Sequence, residues 1–250
     1  MGCSSSNSEP SAQQARPVQI GRPQDITLHV PRRQKDAEGA ELQVVDQELT
    51  RQNIHRALQY TAQYLNERRQ NLTLVTVGGA INTMYLRSRQ TTHDVDFFGA
   101  HLNQRQLQMI DEAMQYAERM SSVPLGGAWL NNESRCTWLR MLGDTSQTVQ
   151  LEQDMVVFKE PGLTVVAAPW SYSFISKSQR LGSQYERPYD LDDAVAYLAE
   201  WNRRMGNEVA TARMIQDLCA RYRQPMIADP VLRRVNERYR TRHRRDGIRT

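Results

Sequence analysis

The sequence predicts an α+β fold with a helical C-terminal part, and three observations carry that reading. Apolar residues recur at helical intervals between Asp46 and Asn71, a β-rich run follows at Leu72–Val77, and beyond Pro169 the pattern turns wholly helical. With 39% hydrophobic and 24% charged residues in 250, the chain is globular in composition. Its mean hydropathy of -0.68 is polar enough to imply a non-globular fraction. That fraction falls at residues 1–45, a stretch rich in Ser, Gln, Pro and Arg with five basic and five acidic side chains and no apolar period. Such a segment cannot offset the entropy of ordering and reads as a disordered tail.

The predicted elements follow in order. Ile54, Ala57, Leu58, Ala62 and Leu65 form one helical face, with Leu49 a turn earlier. Leu72–Val77 is a strand closed by Gly78-Gly79, and Ala80–Arg87 is a helix, so this part reads strand, glycine turn, helix. Thr92–Phe98 alternates around Val95 as a second strand, and Asn103 caps a helix through Met120. Pro124–Trp129 and Arg135–Met141 are weak strands or turns. Asp154–Lys159 and Leu163–Ala167 form a hairpin, because Glu160-Pro161-Gly162 suits a type II turn. Three helices then follow: one from Asp190 through Trp201, one at Glu208–Tyr222, and one opened by Asp229-Pro230. A core over 46–168 and a helical extension over 169–250 are the expected units.

Charge and terminal motifs bear on partners. Residues 221–250 hold ten arginines against Asp229, Glu237 and Asp246, a surface suited to RNA or anionic lipid, or else a solvated helical face. No run approaches the roughly 18 apolar residues of a membrane span, and no secretory signal opens the chain. Cys3, Cys136 and Cys219 have no paired spacing, which argues for a reducing compartment on the cytosolic side. Met1-Gly2-Cys3-Ser4-Ser5-Ser6 fits the N-myristoylation pattern on Gly2, with Cys3 as an adjacent palmitoylation site. Two acyl chains anchor where one is marginal, so a cytoplasmic protein peripheral on a membrane is expected.

The chemistry-bearing residues are Asp94 and Asp96. Two apart in a strand, they point to one face, and such a pair can hold Mg²⁺, which takes one or two carboxylates plus substrate phosphate oxygens. Upstream, Gly78-Gly79 opens a helix where free N–H groups and absent side chains admit phosphate. The alternative reading of the glycines is a tight turn or close packing.

Leu74–Ala80, containing Gly78-Gly79, followed by Thr92-His93-Asp94-Val95-Asp96, resembles the signature of the DNA polymerase β-like nucleotidyltransferase superfamily, and is most similar to its small abortive-infection-toxin-like members. The likeness covers about residues 46–200 and extends more faintly through Trp129-Leu130-Asn131, Leu163–Pro169, Lys177, Arg180 and Asp190-x-x-Asp193. It implies a mixed sheet flanked by helices, Mg²⁺ on Asp94 and Asp96, and triphosphate at Gly78-Gly79. The implied reaction transfers a nucleoside monophosphate from a nucleoside triphosphate to a hydroxyl. Thr92 would fix the aspartate strand and Arg89 would reach a phosphate, although Arg89 stands one place earlier than the family's arginine and Gln90 occupies that place.

Active members place a third carboxylate on a later strand. Here Met155-Val156-Val157-Phe158 is apolar, which leaves Asp154, with Glu152 on the same face, as the candidate. A non-catalytic, lipid-anchored binding or scaffold protein on the same fold is the second functional reading. Lys177 either binds phosphate or pairs with Asp190 or Asp193. Those aspartates read first as helix-start acids, His93 as a surface or packing residue, and Trp129, Trp138, Trp170 and Trp201 as core and rim.

Overall fold

The computed structural model describes residues 19–20, 28–31, 46–99, 101–132, 149–150 and 155–249. Its centre is a mixed five-stranded sheet built from β1 (Leu72–Val77), β2 (Val95–Phe98), β3 (Leu130–Asn131), β4 (Val156–Glu160) and β5 (Leu163–Ala167), in the order β3-β2-β1-β5-β4. β1 runs parallel to β5 and antiparallel to β2, β2 runs parallel to β3, and β4 and β5 form an antiparallel hairpin. The α+β class and the mixed sheet with flanking helices are therefore as the sequence predicts.

Alternation along the strands sorts the core into two layers. Leu72 and Leu74 face a cluster with Ile54, Leu58, Leu65, Leu107, Ile110 and Met114, contributed by α1 (Arg51–Glu67) and, after a short α2 (Gly79–Ile81), by α3 (Gln104–Met120). Val75 faces the opposite cluster, where Trp170, Phe174, Val195, Leu198, Ile215 and Val235 come from four helices. These are α4 (Trp170–Ser178), α5 (Asp190–Arg204), α6 (Ala212–Arg221) and α7 (Asp229–His243). The C-terminal helices are thus the second face of one sandwich, because Val75, Phe98 and Val166 need cover on that side.

Local rules explain the element ends. Asn103 caps α3 as expected and also exchanges bonds with Gln106 in a capping box, while Thr50 and Asn53 do the same for α1. α1 therefore starts at Arg51, and Leu49–Thr50 pairs instead with Thr91–Thr92. The predicted helix over Ala80–Arg87 is three α-helical residues continued by a π-helical turn, Asn82–Leu86, that ends on a left-handed Arg87. The predicted strand over Thr92–Phe98 is broken at His93 and Asp94. Pro161-Gly162 turns the β4–β5 hairpin, and a Cβ on Gly162 (φ +99°) would collide with the Ala62 carbonyl of α1 and lie 2.7 Å from the Asn66 nitrogen. The helix predicted at 208–222 begins only at Ala212, after Ala210–Thr211 pairs with Ile248–Arg249. Pro124–Trp129 is a turn leading into β3, whereas Arg135–Met141 lies outside the described residues.

Leu28–Pro31, within the stretch read as tail, lies against the body. Val30 is fully buried, its N–H donates to Asn132 Oδ1 at 2.8 Å, and the Asn132 amide donates to the Leu28 carbonyl at 2.7 Å. The Asn132 N–H returns a bond to the Val30 carbonyl at 3.1 Å, so this short segment covers the end of edge strand β3. Among the described residues, no helix is long and apolar enough to cross a membrane.

Candidate functional site

Sheet register assembles the site. Val77, the last residue of β1, lies opposite Asp96 on β2, and Asp96 lies opposite Asn131 on β3. The glycine turn after β1 therefore falls beside Asp96 of β2, with Asp94 just ahead of that strand and outside it. Gly78 sits at φ +75°, and a Cβ there would come within 3.2 Å of Asp96 Oδ2. A Cβ on Gly79 would fall on the Thr92 hydroxyl and lie 3.2 Å from Arg89 Nη1. Both the turn and the close packing that glycine permits are real here. The Gly78 carbonyl accepts a 2.9 Å bond from the buried Tyr197 hydroxyl of α5, which fixes the turn from behind.

A cleft of about 420 Å³ opens at this point. Gly78, Gly79, Arg89, Thr92, Asp94, Asp96 and Lys177, separated by up to 99 positions, all line it. The opposite wall is α4, where Ser173, Ser176 and Lys177 share one face, joined by Arg180 from the turn after the helix and by Arg187 and Tyr189 from the loop before α5. Asp46 and the exposed His93 complete the acidic side.

Two electrostatic regions divide the cleft. Burial pushes the Asp94 carboxyl above its ordinary value, and Asp46 adds to that rise. The Asn131 amide, donating to Asp94 Oδ2 at 3.4 Å, opposes it, as do His93 and Arg187. Facing this pair is a buried ionic network. Asp193 is held by Nε and Nη2 of Arg89 and by Lys177 Nζ at 2.9 Å. Asp190 accepts from Lys177 at 3.1 Å, from Arg180 at 2.6 Å and from the Arg187 backbone N–H at 3.0 Å. Both aspartates are fully buried, and three cations meet two carboxylates, so one positive charge is left over at the cleft wall. Burial pulls the Lys177 ammonium below its ordinary pKa, against the upward pull of Asp193.

This geometry decides several open readings. Lys177 pairs with both aspartates while still lining the cleft. Arg89 is committed to Asp193 and lies 3.4 Å over the Tyr189 ring, so it organises the wall. Asp190 and Asp193 occupy the first turn of α5, with Tyr189 at the cap position, and their carboxylates serve the network. Trp129, Trp170 and Trp201 are buried core, and Trp138 lies outside the described residues.

Asp154 and Glu152 also lie outside the described residues, as do Gly2 and Cys3. β4 begins at Val156, three strand spacings from β2, or about 14 Å. The residue beside Asp96 on the neighbouring strand is Asn131, and among the described residues no group of three His, Cys, Asp or Glu side chains is placed to hold a metal ion.

Sequence reasoning missed Asp46, Ser173, Ser176, Arg187, Tyr189 and Tyr197. The spacing of Ser173 and Ser176 beside Lys177 was an available signal on α4, whereas Tyr197 has none, since its bond to Gly78 spans 119 positions. No curated protein and no solved structure matches the chain. The model of a family described as a domain of unknown function, DUF7582, matches residues 46–246, and every residue lining the cleft falls inside that span. The match covers most of the sequence, and the chain belongs to the DUF7582 family.

Proposed function

We propose that the cleft binds a nucleoside triphosphate with Mg²⁺ and that the protein is a nucleotidyltransferase, transferring a nucleoside monophosphate to a hydroxyl acceptor. The observation that carries this reading is the convergence of Gly78, Gly79, Asp94, Asp96 and Lys177 on one 420 Å³ cleft with an acidic and a cationic side. The residues fit the metal: two carboxylates suffice when substrate phosphates supply further oxygens, and a desolvated Asp94 gains from a nearby cation. When bound, Mg²⁺ supplies charge neutralisation at the attacking and leaving oxygens.

The chain's own residues do the rest. Gly78 and Gly79 let the turn pack against Asp96 and Thr92 and so bring its backbone to the cleft, while Lys177, Arg180 and Arg187 offer positive charge across it. A three-residue α2 contributes little macrodipole, so side-chain cations carry most of the phosphate attraction. Arg89 supports binding by holding Asp193 and Tyr189 in place.

Asn131 favours a second reading. It places an amide on the strand beside Asp96, and without a third carboxylate next to the pair the protein would be a binding or scaffold protein without transfer chemistry. Thermal shift with Mg²⁺ and a nucleoside triphosphate tests both. The first reading expects a rise in Tm that Asp94→Asn with Asp96→Asn abolishes. An equal rise in that variant removes the metal assignment. Incubation with labelled triphosphates and RNA, protein or small-molecule hydroxyls then separates enzyme from binder by label transfer.

For placement, we infer acylation at Gly2 and Cys3, giving a peripheral protein on the cytosolic face of a membrane. The Arg-rich C-terminus would assist by attraction to anionic lipid at no more than about 1 kcal/mol per arginine, or would meet RNA instead. Cell fractionation should rank membrane association as wild type, then Cys3→Ser, then Gly2→Ala. Full retention of Gly2→Ala would exclude the anchor.

A further inference from the structure

A second cavity, of about 310 Å³, opens between the C-terminal ends of α5 and α7, remote in sequence from the aspartate pair. Arg203, Arg242, His243 and Arg245 line it together with apolar Ala199 and Tyr239. Three arginines on the earlier turns of α7 are already engaged: Arg234 with Glu186 at 2.6 Å, Arg238 with Asp192 at 2.7 Å, and Arg240 with Asp246. Among the described residues no such pair ties Arg242 or Arg245. Arg203 forks Glu200 at 2.5 and 2.7 Å, and the Tyr85 hydroxyl also donates to that carboxylate. Arg204 also reaches Glu200 at 3.4 Å, so the one carboxylate lining the cavity is already shared by two arginines and none is left for Arg242 or Arg245.

The bland explanation is that cations gather where helices end. Two helix C-termini amount to about one negative charge together, whereas Arg203, Arg242 and Arg245 exceed Glu200 by two. About one positive charge remains unbalanced. His243 stacks on Tyr239 with ring centroids 4.4 Å apart, and its buried Nε2 has no hydrogen-bond partner. Burial, then Arg242 and Arg245, hold its pKa below the ordinary value, so the unprotonated ring is the resting form.

We propose that this cavity is a phosphate-group site in which Arg242 and Arg245 grip the phosphate of a small organic phosphate or of an anionic lipid headgroup. Guanidinium forks suit a group with three or more acceptor oxygens and a charge near two better than they suit a single carboxylate. The small volume and the apolar Ala199 and Tyr239 favour one compact group at the rim over an extended polyanion. The proposal is independent of the nucleotide cleft, and His243 supplies a reporter inside the cavity itself.

The test is a titration of the full chain with inorganic phosphate, followed by the imidazole NMR signals at ionic strength held constant with chloride, with His243→Gln giving the assignment. A saturable shift of the His243 signal and a rise in its titration midpoint are expected. Arg242→Gln with Arg245→Gln should raise the midpoint of the free protein, because two positive neighbours are gone, and weaken phosphate binding by at least about tenfold. Both side chains are exposed, so an unchanged Tm verifies folding. A shift that never saturates, or one that survives in the double variant, overturns the site. Sedimentation with phosphatidylcholine vesicles, with and without phosphatidate, identifies the source. Loss of phosphatidate-dependent sedimentation in the double variant assigns a headgroup, and unchanged sedimentation with phosphate binding intact in wild type assigns a soluble phosphate. Binding of single-stranded RNA with a steep salt dependence, without saturable phosphate binding, overturns the proposal in favour of a polyanion surface.

Discussion

The two faces of the sheet solve the same packing problem with different materials. On the α1 and α3 side, Leu58, Leu65, Leu107 and Ile110 are fully buried and the layer is held by apolar contact. On the α4 and α5 side, a comparable apolar cluster is interrupted at the sheet's end by Lys177, Asp190 and Asp193, each nearly or wholly buried. Burying paired charges seldom adds net stability over apolar packing. A face that carries them is therefore shaped for something other than holding together, and the cleft lies on that face.

The largest expected effect breaks the ionic side. Asp193→Ala strips Arg89 of its carboxylate and Lys177 of one of two, and should destabilise the fold by about 3–5 kcal/mol in chemical denaturation. Replacing Arg89 with Met and Asp193 with Leu together should restore part of that loss. If the double variant is no more stable than Asp193→Ala, uncompensated charge is not the source of the loss.

On the apolar side, Leu58→Ala should cost about 3 kcal/mol through lost transfer energy and a cavity, while leaving the nucleotide-dependent Tm rise intact. Loss of that rise in a still-folded Leu58→Ala protein would show that the faces are not functionally distinct. A smaller effect, about 1 kcal/mol, is expected for Asn103→Ala, which removes the α3 cap. Equilibrium unfolding measures both.

The smallest effect has the opposite sign. Asp94 has a folded pKa raised by burial, so its contribution favours the fold below the usual carboxylate range and is lost as pH rises through the raised value. Asp94→Asn should therefore have a higher Tm than wild type near neutral pH in the absence of ligand, and the gap should close on acidification. A gap that stays constant with pH would point to repacking and away from ionisation.

Much of the fold was legible because it rests on short-range rules. The Asn103 cap, the Pro161-Gly162 turn and the alternation in Leu72–Val77 each announce themselves within a few residues. α1 began later than its periodicity suggested, since Leu49 satisfies the apolar pattern whether it is helical or paired with Thr92. In the site, the glycine pair and the two aspartates stood out as local patterns. Arg187 and Tyr197 did not, because their roles depend on how α5 crosses the end of β1, a relation set by packing across more than 100 residues. The sequence pointed to Arg89 as a phosphate contact, whereas its guanidinium is committed to Asp193, a partner 104 positions away that no local pattern indicates.

The clamp between Val30 and Asn132 has a mechanical consequence. Three hydrogen bonds and a fully buried valine tie the chain to the residue after Asn131, at the sheet edge that adjoins Asp94. Upstream of it Gln19–Ile20 pairs with Val149–Gln150, and tension that passes that pairing is handed to the rest of the body at the clamp. The clamp then acts as a strain-relief fitting, and tension large enough to pull Val30 free would be felt next at Asn131, one peptide unit away, whose amide steadies the Asp94 carboxylate.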